Sequence, residues 1–342
     1  MNMSNKSLCN ISSEIHKYLF SWVYILILII GFPANLYSLY HAWQQLKAKN
    51  ELGIYLVNLT ISDLLYLASL PLWLQYFFLG DNWEHQEWLC KLCGFLLYEN
   101  IYISIGFLCC ISIDRYLAVV HPFHFSKFRT MKAASLASAF IWLKEIAVSM
   151  VFFWSKELSW GKLNQSICFE HYPMEQWERP VNYYRFFIGF LFPLGILSVS
   201  YFRVLRAVKK SAGTQNSQKI RIQHLVASTI IIFLFCFSPY HIFLLVRTIF
   251  EENCPFIEKI FNYYHFSLLL TCFNCVADPA LYCFVSEPAQ KDMLWAKRIC
   301  AELFFCKKLG STNSSNVPTC IDNGTSGGTL LNTKESAIDV VT

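Results

Sequence analysis

The sequence predicts an all-α membrane protein, a seven-transmembrane helix bundle with a short amphipathic eighth helix. Three observations carry that reading. Of 342 residues, 55% are hydrophobic and 15% are charged, where soluble domains carry about 25% charged residues. The apolar residues gather into seven runs, most near the roughly 20 residues that span a bilayer. Few charges interrupt those runs, and those that do are single acids or a Lys–Glu pair, which lipid-facing helices avoid.

The first run, Tyr18 to Leu46, contains no Asp, Glu, Lys or Arg. The second, about Ile54 to Phe78, is interrupted only by Asp63. The third, about Leu92 to Ile113, contains Glu99, and the fourth, about Ala133 to Trp154, contains Lys144 and Glu145. The fifth runs from Phe187 to Phe202 and on to about Arg206; the sixth is Leu225 to Val246. The seventh, Ile260 to Ser286, holds Asp278. The chain therefore divides into an N-terminal segment (1–17), the bundle (18–286), an amphipathic helix (287–308) and a tail (309–342) rich in Ser, Thr, Asn and Gly, which reads as disordered.

The first 17 residues are polar, so no cleavable signal peptide is read and the first helix directs insertion. With the N-terminus outside, 18 of the 28 Lys and Arg fall on the cytoplasmic side, nine outside, and Lys144 within a span. The positive-inside rule then favours N-out, C-in, a multi-pass plasma-membrane topology. Sequons at Asn2, Asn5 and Asn10 crowd the N-terminus, and Asn164 supplies one in the second outer loop. Asn58 also matches, but within a helix. In the oxidising outer compartment Cys90 and Cys168 can pair, tying the third helix to the second outer loop, and Cys9 can pair with Cys254; the alternative is free thiols. The net charge of +5 forms no nucleic-acid-binding run. No nucleophile–base set or metal-ligand spacing suggests an enzyme. No inverted repeat suggests a transporter, the rival from another class.

Polar and proline motifs follow one another, one or two per helix. They are Asn35, Asp63, Asp114-Arg115-Tyr116, Trp142, Pro193 with Tyr201, Cys236-Phe237-Ser238-Pro239, and Asn274 with Asp278-Pro279-Ala280-Leu281-Tyr282. Together they resemble the rhodopsin-like (class A) G-protein-coupled receptors over about Tyr18 to Cys300. The resemblance implies a G-protein switch built from Asp114, Arg115, Tyr116, Tyr201 and Tyr282. It implies that the sixth helix swings outward and that a G protein docks between helices three, five and six. It also implies arrestin and receptor kinases as partners, with Ser311, Thr312, Ser314 and Ser315 as candidate phosphosites. Met293, Ala296, Ile299, Cys300 and Leu303 recur at helical spacing, as an eighth helix on the inner leaflet requires, and Cys300 or Cys306 is a candidate palmitoylation site. Phe237 replaces the usual Trp and Asp278 the usual Asn. Leu97 is not the Asp of amine receptors, and Cys272 stands where an opsin has its retinal-linking Lys.

Five segments narrow the likeness to the proton-sensing subfamily: Asn50 to Leu56, Asp81-Asn82-Trp83, Glu99 to Ser104, Cys168 to Pro173, and Asn274 to Pro279. That subfamily implies protons as agonist, with coupling to Gq/11, Gs or both. The histidines His16, His85, His171, His241 and His265 lie in the outer half among many carboxylates, and an unperturbed imidazole titrates near pH 6.5. Asp63, Glu145 and Asp278 form a candidate acidic core. Asn100, Ser104 and Asn274 match the polar residues that surround a sodium ion beside Asp63 in this class, so a bound sodium is the one cofactor-like species expected. Ser13, Gly80 and Gln165 stand where a member of the subfamily carries outer histidines. The rival within the same fold is a lysolipid-type receptor, with Lys91, Arg185 and Arg247 holding a phosphate at the outer mouth; three solvated or ion-paired surface cations are the alternative.

Overall fold

A computed structural model describes residues 14–122, 124–125, 129–153, 158–160, 166–168, 173–210, 216–252 and 254–285. The chain divides into two units, residues 1–290 and 291–342, and every described residue belongs to the first. The amphipathic-helix and tail segments, Cys300, Cys306 and the tail phosphosites therefore lie outside the described residues, as do Cys9 and the sequons at Asn2, Asn5, Asn10 and Asn164.

The described elements are helices plus one hairpin. Helix α1 is Glu14–Lys47, α2 Leu52–Phe78, α3 Glu87–Val120 and α4 Met131–Phe153. The hairpin pairs β1 (Leu158–Trp160) with β2 (Ser166–Cys168), antiparallel, with Leu158 opposite Cys168. The fifth rod is α5 (Glu178–Phe186) continued through a π turn into α6 (Phe192–Lys210). The sixth is α7 (Asn216–Ile232), another π turn, and α8 (Ser238–Phe250). The seventh is α9 (Cys254–Thr271) and α10 (Asn274–Val285). The helices run past the apolar runs at several ends: α1 starts before Tyr18, and α3 exceeds Leu92 to Ile113 on both sides.

Helix α3 is the axis of the bundle and touches α2, α4 and α6, while α1 lies against α2 and α10. The buried core includes Leu59, Tyr66, Ile101, Phe107, Phe233, Phe237 and Tyr240. Trp22, Leu136, Phe140, Leu143 and Ile231 point outward. Large apolar side chains on the outside are the reverse of a soluble surface and suit a hydrocarbon solvent.

Five rods carry an internal proline, Pro33 and Pro71 within unbroken helices, and each proline lacks an N–H for the carbonyl four residues earlier. Pro193 follows a π turn at Phe187–Leu191, and Pro239 follows another at Phe233–Phe237. Such turns spread the mismatch over one wide loop of backbone. Pro279 leaves the Cys275 carbonyl without its helical donor, and the Asn35 amide from α1 supplies one at 2.7 Å.

The seventh rod departs from the sequence expectation. Six helical stretches are long and apolar enough to cross a membrane among the described residues. The seventh is divided at Cys272–Phe273, where the backbone N–H groups of Cys272 and Phe273 bond three residues back, to Leu269 and Leu270, at 3.1 and 3.2 Å. No Gly or Pro stands at the break. Side-chain contacts from other helices hold it: the Tyr66 hydroxyl lies 2.8 Å from the Cys272 sulfur, and Asn274 donates to Ser104 at 3.1 Å.

The hairpin end is cross-linked. Cys90 and Cys168 form a disulfide with Cα atoms 5.7 Å apart. Beside it, Trp83 N donates to Ser166 O at 2.7 Å and Ser166 N to Asn82 Oδ1 at 3.0 Å. Cys254 is also disulfide-bonded.

Candidate functional site

Several polar groups sit in the bundle among the described residues. The first lies between α2, α3 and α10. Asp63, Asn100, Ser104, Asn274 and Asp278 are all at most 1% exposed. Asn100 Nδ2 donates to Asp63 Oδ1 at 2.8 Å, and the Cys275 thiol approaches the same oxygen at 3.5 Å. Asp63 Oδ2 and both oxygens of Asp278 have no hydrogen bond, and the two carboxylates lie within electrostatic reach of each other. No ion pair to either acid is found among the described residues. Two buried carboxylates without a cation repel each other and lose hydration, so the group favours taking up a positive charge. The oxygen donors of Asp63, Asp278, Asn100, Ser104 and Asn274 suit a hard cation such as sodium.

Glu145 is not part of that group. It lies on α4, 4% exposed and paired with Lys144, and its electrostatic neighbours are Lys144 and Arg185. Glu99 on α3 lies within electrostatic reach of it. Glu99 is 3% exposed, accepts from Ser149 Oγ at 2.7 Å, and leaves its second oxygen without a hydrogen bond. The bundle thus holds two acidic groups where the sequence suggested one. Glu99 was visible as an interruption of the third run, but linear spacing cannot tell which acids share a face across helices. Cys275, beside Asn274, carried no signal of its contact with Asp63.

The second group surrounds His241. Its Nδ1 lies 2.8 Å from the Phe237 carbonyl, its Nε2 has no hydrogen bond, and its ring stacks on Phe190 at 4.3 Å. His265 is also buried, with Nδ1 2.9 Å from the Phe261 carbonyl. His85 is half-buried at the hairpin end, 2.9 Å from Gln75 Oε1. His171 and the side chain of His16 lie outside the described residues. Of the five, His85, His241 and His265 are described, and each meets a different partner. Glu251, just past the end of α8, is occupied: it accepts from Arg247 at 2.5 and 3.1 Å and from the Met174 backbone at 2.7 Å. Lys91 pairs with Glu87 at 3.3 Å. Arg185 is buried with its guanidinium 3.7 Å from the centre of the Tyr98 ring. Lys91 and Arg247 thus take the ion-paired arrangement. Gly80 sits at φ +70° just past the end of α2, with open space around it. A histidine there must adopt a left-handed backbone that disfavours residues with a Cβ.

The third group is at the opposite end. Arg115 donates to Asp114 Oδ2 through Nη2 at 2.5 Å and Nε at 3.0 Å. The Tyr116 hydroxyl meets His121 Nε2 at 3.1 Å. Tyr201 is buried on α6; the side chain of Tyr282 lies outside the described residues.

A seven-rod bundle with an Arg115–Asp114 pair at the end of its central helix, prolines in rods five to seven and a disulfide-tied hairpin defines a receptor class, and the comparisons name it. The family model "7 transmembrane receptor (rhodopsin family)" matches residues 34–282, and the chain belongs to that family of receptors, which is not an enzyme class. The chain is 56% identical to G-protein coupled receptor 68 of Mus musculus over 305 residues, 89% of this chain and 84% of that one. It is 39% identical to G-protein coupled receptor 65 of Homo sapiens over 298 residues, 84% and 88% of the two chains. With lysophosphatidic acid receptor 6 of Gallus gallus it shares 33% over 289 residues, 82% and 94% of the two.

Proposed function

We propose that this receptor is switched on by extracellular acidification and signals through Gq/11, Gs or both, with its N-terminus outside the cell. The observation that carries the proposal is the Asp63–Asp278 pair, buried between α2 and α10 without a basic partner. A proton shifts the balance of two states only if it binds one of them more tightly. In the resting packing, Asp63, Asp278, Asn100, Ser104 and Asn274 offer a sodium ion its oxygens. Protonation of the acids removes the charge that holds the ion and lets α10 pack closer to α2 and α3. Sodium and protons then oppose each other at one place. Glu145 with Glu99 adds a second acidic group between α3 and α4. The outer histidines contribute when they become charged and gain carboxylate partners as the outer ends of the helices rearrange; Nδ1 of His241 and of His265 keeps its proton on a backbone carbonyl throughout. Arrestin and receptor kinases follow as partners at the tail, and the Cys9–Cys254 bridge would tie the N-terminus to α9.

The deciding experiment is second-messenger output, calcium for Gq/11 and cyclic AMP for Gs, from the expressed receptor. It is titrated from mildly alkaline to mildly acidic pH in lipid-free buffer. A rise with acid supports the proposal, and a flat response sinks it. The second reading, a lysolipid-type receptor, draws on the buried Arg185 and on the likeness to the lysophosphatidic acid receptor. A dose response to lysophosphatidic acid at fixed, mildly alkaline pH, lost in Arg185→Gln, would favour it.

A further inference from the structure

Asp114, 5% exposed, is held by two cations on different oxygens. Arg115 takes Oδ2. Arg129, just before α4, donates from Nε to Oδ1 at 3.0 Å, and its Nη2 lies 2.6 Å from Glu51 Oε1 at the start of α2. Glu51, Arg129, Asp114 and Arg115 thus form a line of alternating charge across three helices. The arrangement goes beyond a single Arg–Asp pair.

Its physical consequence concerns the state after Arg115 departs. If Arg115 were the sole cation on Asp114, its release would strand a buried carboxylate, which is strongly unfavourable. Arg129 sits on the other oxygen and does not depend on Arg115 for its place, because Glu51 anchors it. Nothing in this geometry requires Arg129 to move when Arg115 does.

We propose that Arg129 is the standing counter-ion of Asp114, a positioning residue that keeps the carboxylate paired in both states and so permits Arg115 to leave. The proposal rests on reading Arg115 as the switch residue and not on the identity of the agonist. It is opposite in sign to a simple lock, in which Arg129 would hold the receptor off.

The test is agonist-independent nucleotide exchange on G protein in membranes carrying the full-length receptor, normalised to receptor number. Arg129→Gln should lower exchange about two- to fivefold, the range for a partly exposed charge pair. Arg129→Lys, which keeps the charge, should recover most of it. In an Asp114→Asn background, where no carboxylate needs a partner, Arg129→Gln should change nothing further. An increase or no change in the single variant overturns the proposal. So does a drop of the same size in the Asp114→Asn background, which would mean that Arg129 acts on the G protein directly. A flat acid titration on the same membranes would sink proton sensing and leave this comparison readable.

Discussion

At the scale of residues, the sign of the proton effect can be followed through Asp278. If the active packing raises the affinity of this site for a proton, the stabilisation is complete below the resting-state pKa. It is lost as pH climbs through the active-state pKa. A neutral amide in place of the carboxylate would imitate the permanently protonated acid. Asp278→Asn should therefore raise output at mildly alkaline pH, flatten the pH profile and abolish its dependence on sodium. Second-messenger titrations at low and high sodium measure this, and an unchanged midpoint together with an unchanged sodium effect rejects the role. The histidines make a separate claim. His241 is wedged on Phe190 with its Nδ1 donating to the Phe237 carbonyl, so charging it places a proton on the buried, unbonded Nε2, which then needs an acceptor. Replacing His241 and His265 together with Phe should move the midpoint of signalling to more acidic pH, and an unmoved midpoint removes them from the mechanism. The polar residues inside the spans were legible because lipid makes them conspicuous. Their grouping was not: Glu145 meets Glu99 rather than Asp278 because helix rotation, invisible in a linear pattern, decides which faces meet.

At the scale of elements, the apolar runs located all seven rods, and Pro193 and Pro239 marked where two of them deform. The π turns before Pro193 and Pro239 satisfy a backbone rule that can be read from the sequence. The break at Cys272–Phe273 cannot, since tertiary contacts from Tyr66 and Ser104 hold it and no local breaker announces it. The hairpin was equally silent, because two three-residue strands carry no usable periodicity. Gly189, in the first π turn, has a packing reason to be glycine: a Cβ there would lie 2.8 Å from the Tyr102 ring. Gly189→Ala should cost about 1–3 kcal/mol by overpacking, read as a lower thermal midpoint of the detergent-solubilised receptor. A wild-type midpoint would mean that the ring moves aside freely.

At the scale of the molecule, the question is how many protons a useful switch needs. Taking the active fraction from one tenth to nine tenths requires about 2.6 kcal/mol, and each unit of pKa difference supplies about 1.36 kcal/mol. Two sites shifted by about one unit each suffice, and the response should then be steeper than a single titration. Removing one site, as in Asp278→Asn, should reduce the Hill slope toward one; a slope that stays steep would place the cooperating protons elsewhere. The Cys90–Cys168 bond closes a loop across 78 residues, so Cys168→Ser should reduce both surface abundance and thermal midpoint, measured by surface labelling and by melting. The fracture in the seventh rod has a broader consequence. It puts His265 on one segment and Asp278 on another, with a joint between them. On the proposed reading, the receptor resembles a balance with two pans more than a lever with one arm. Acid at either segment adds weight to the same decision, and neither must wait for the other.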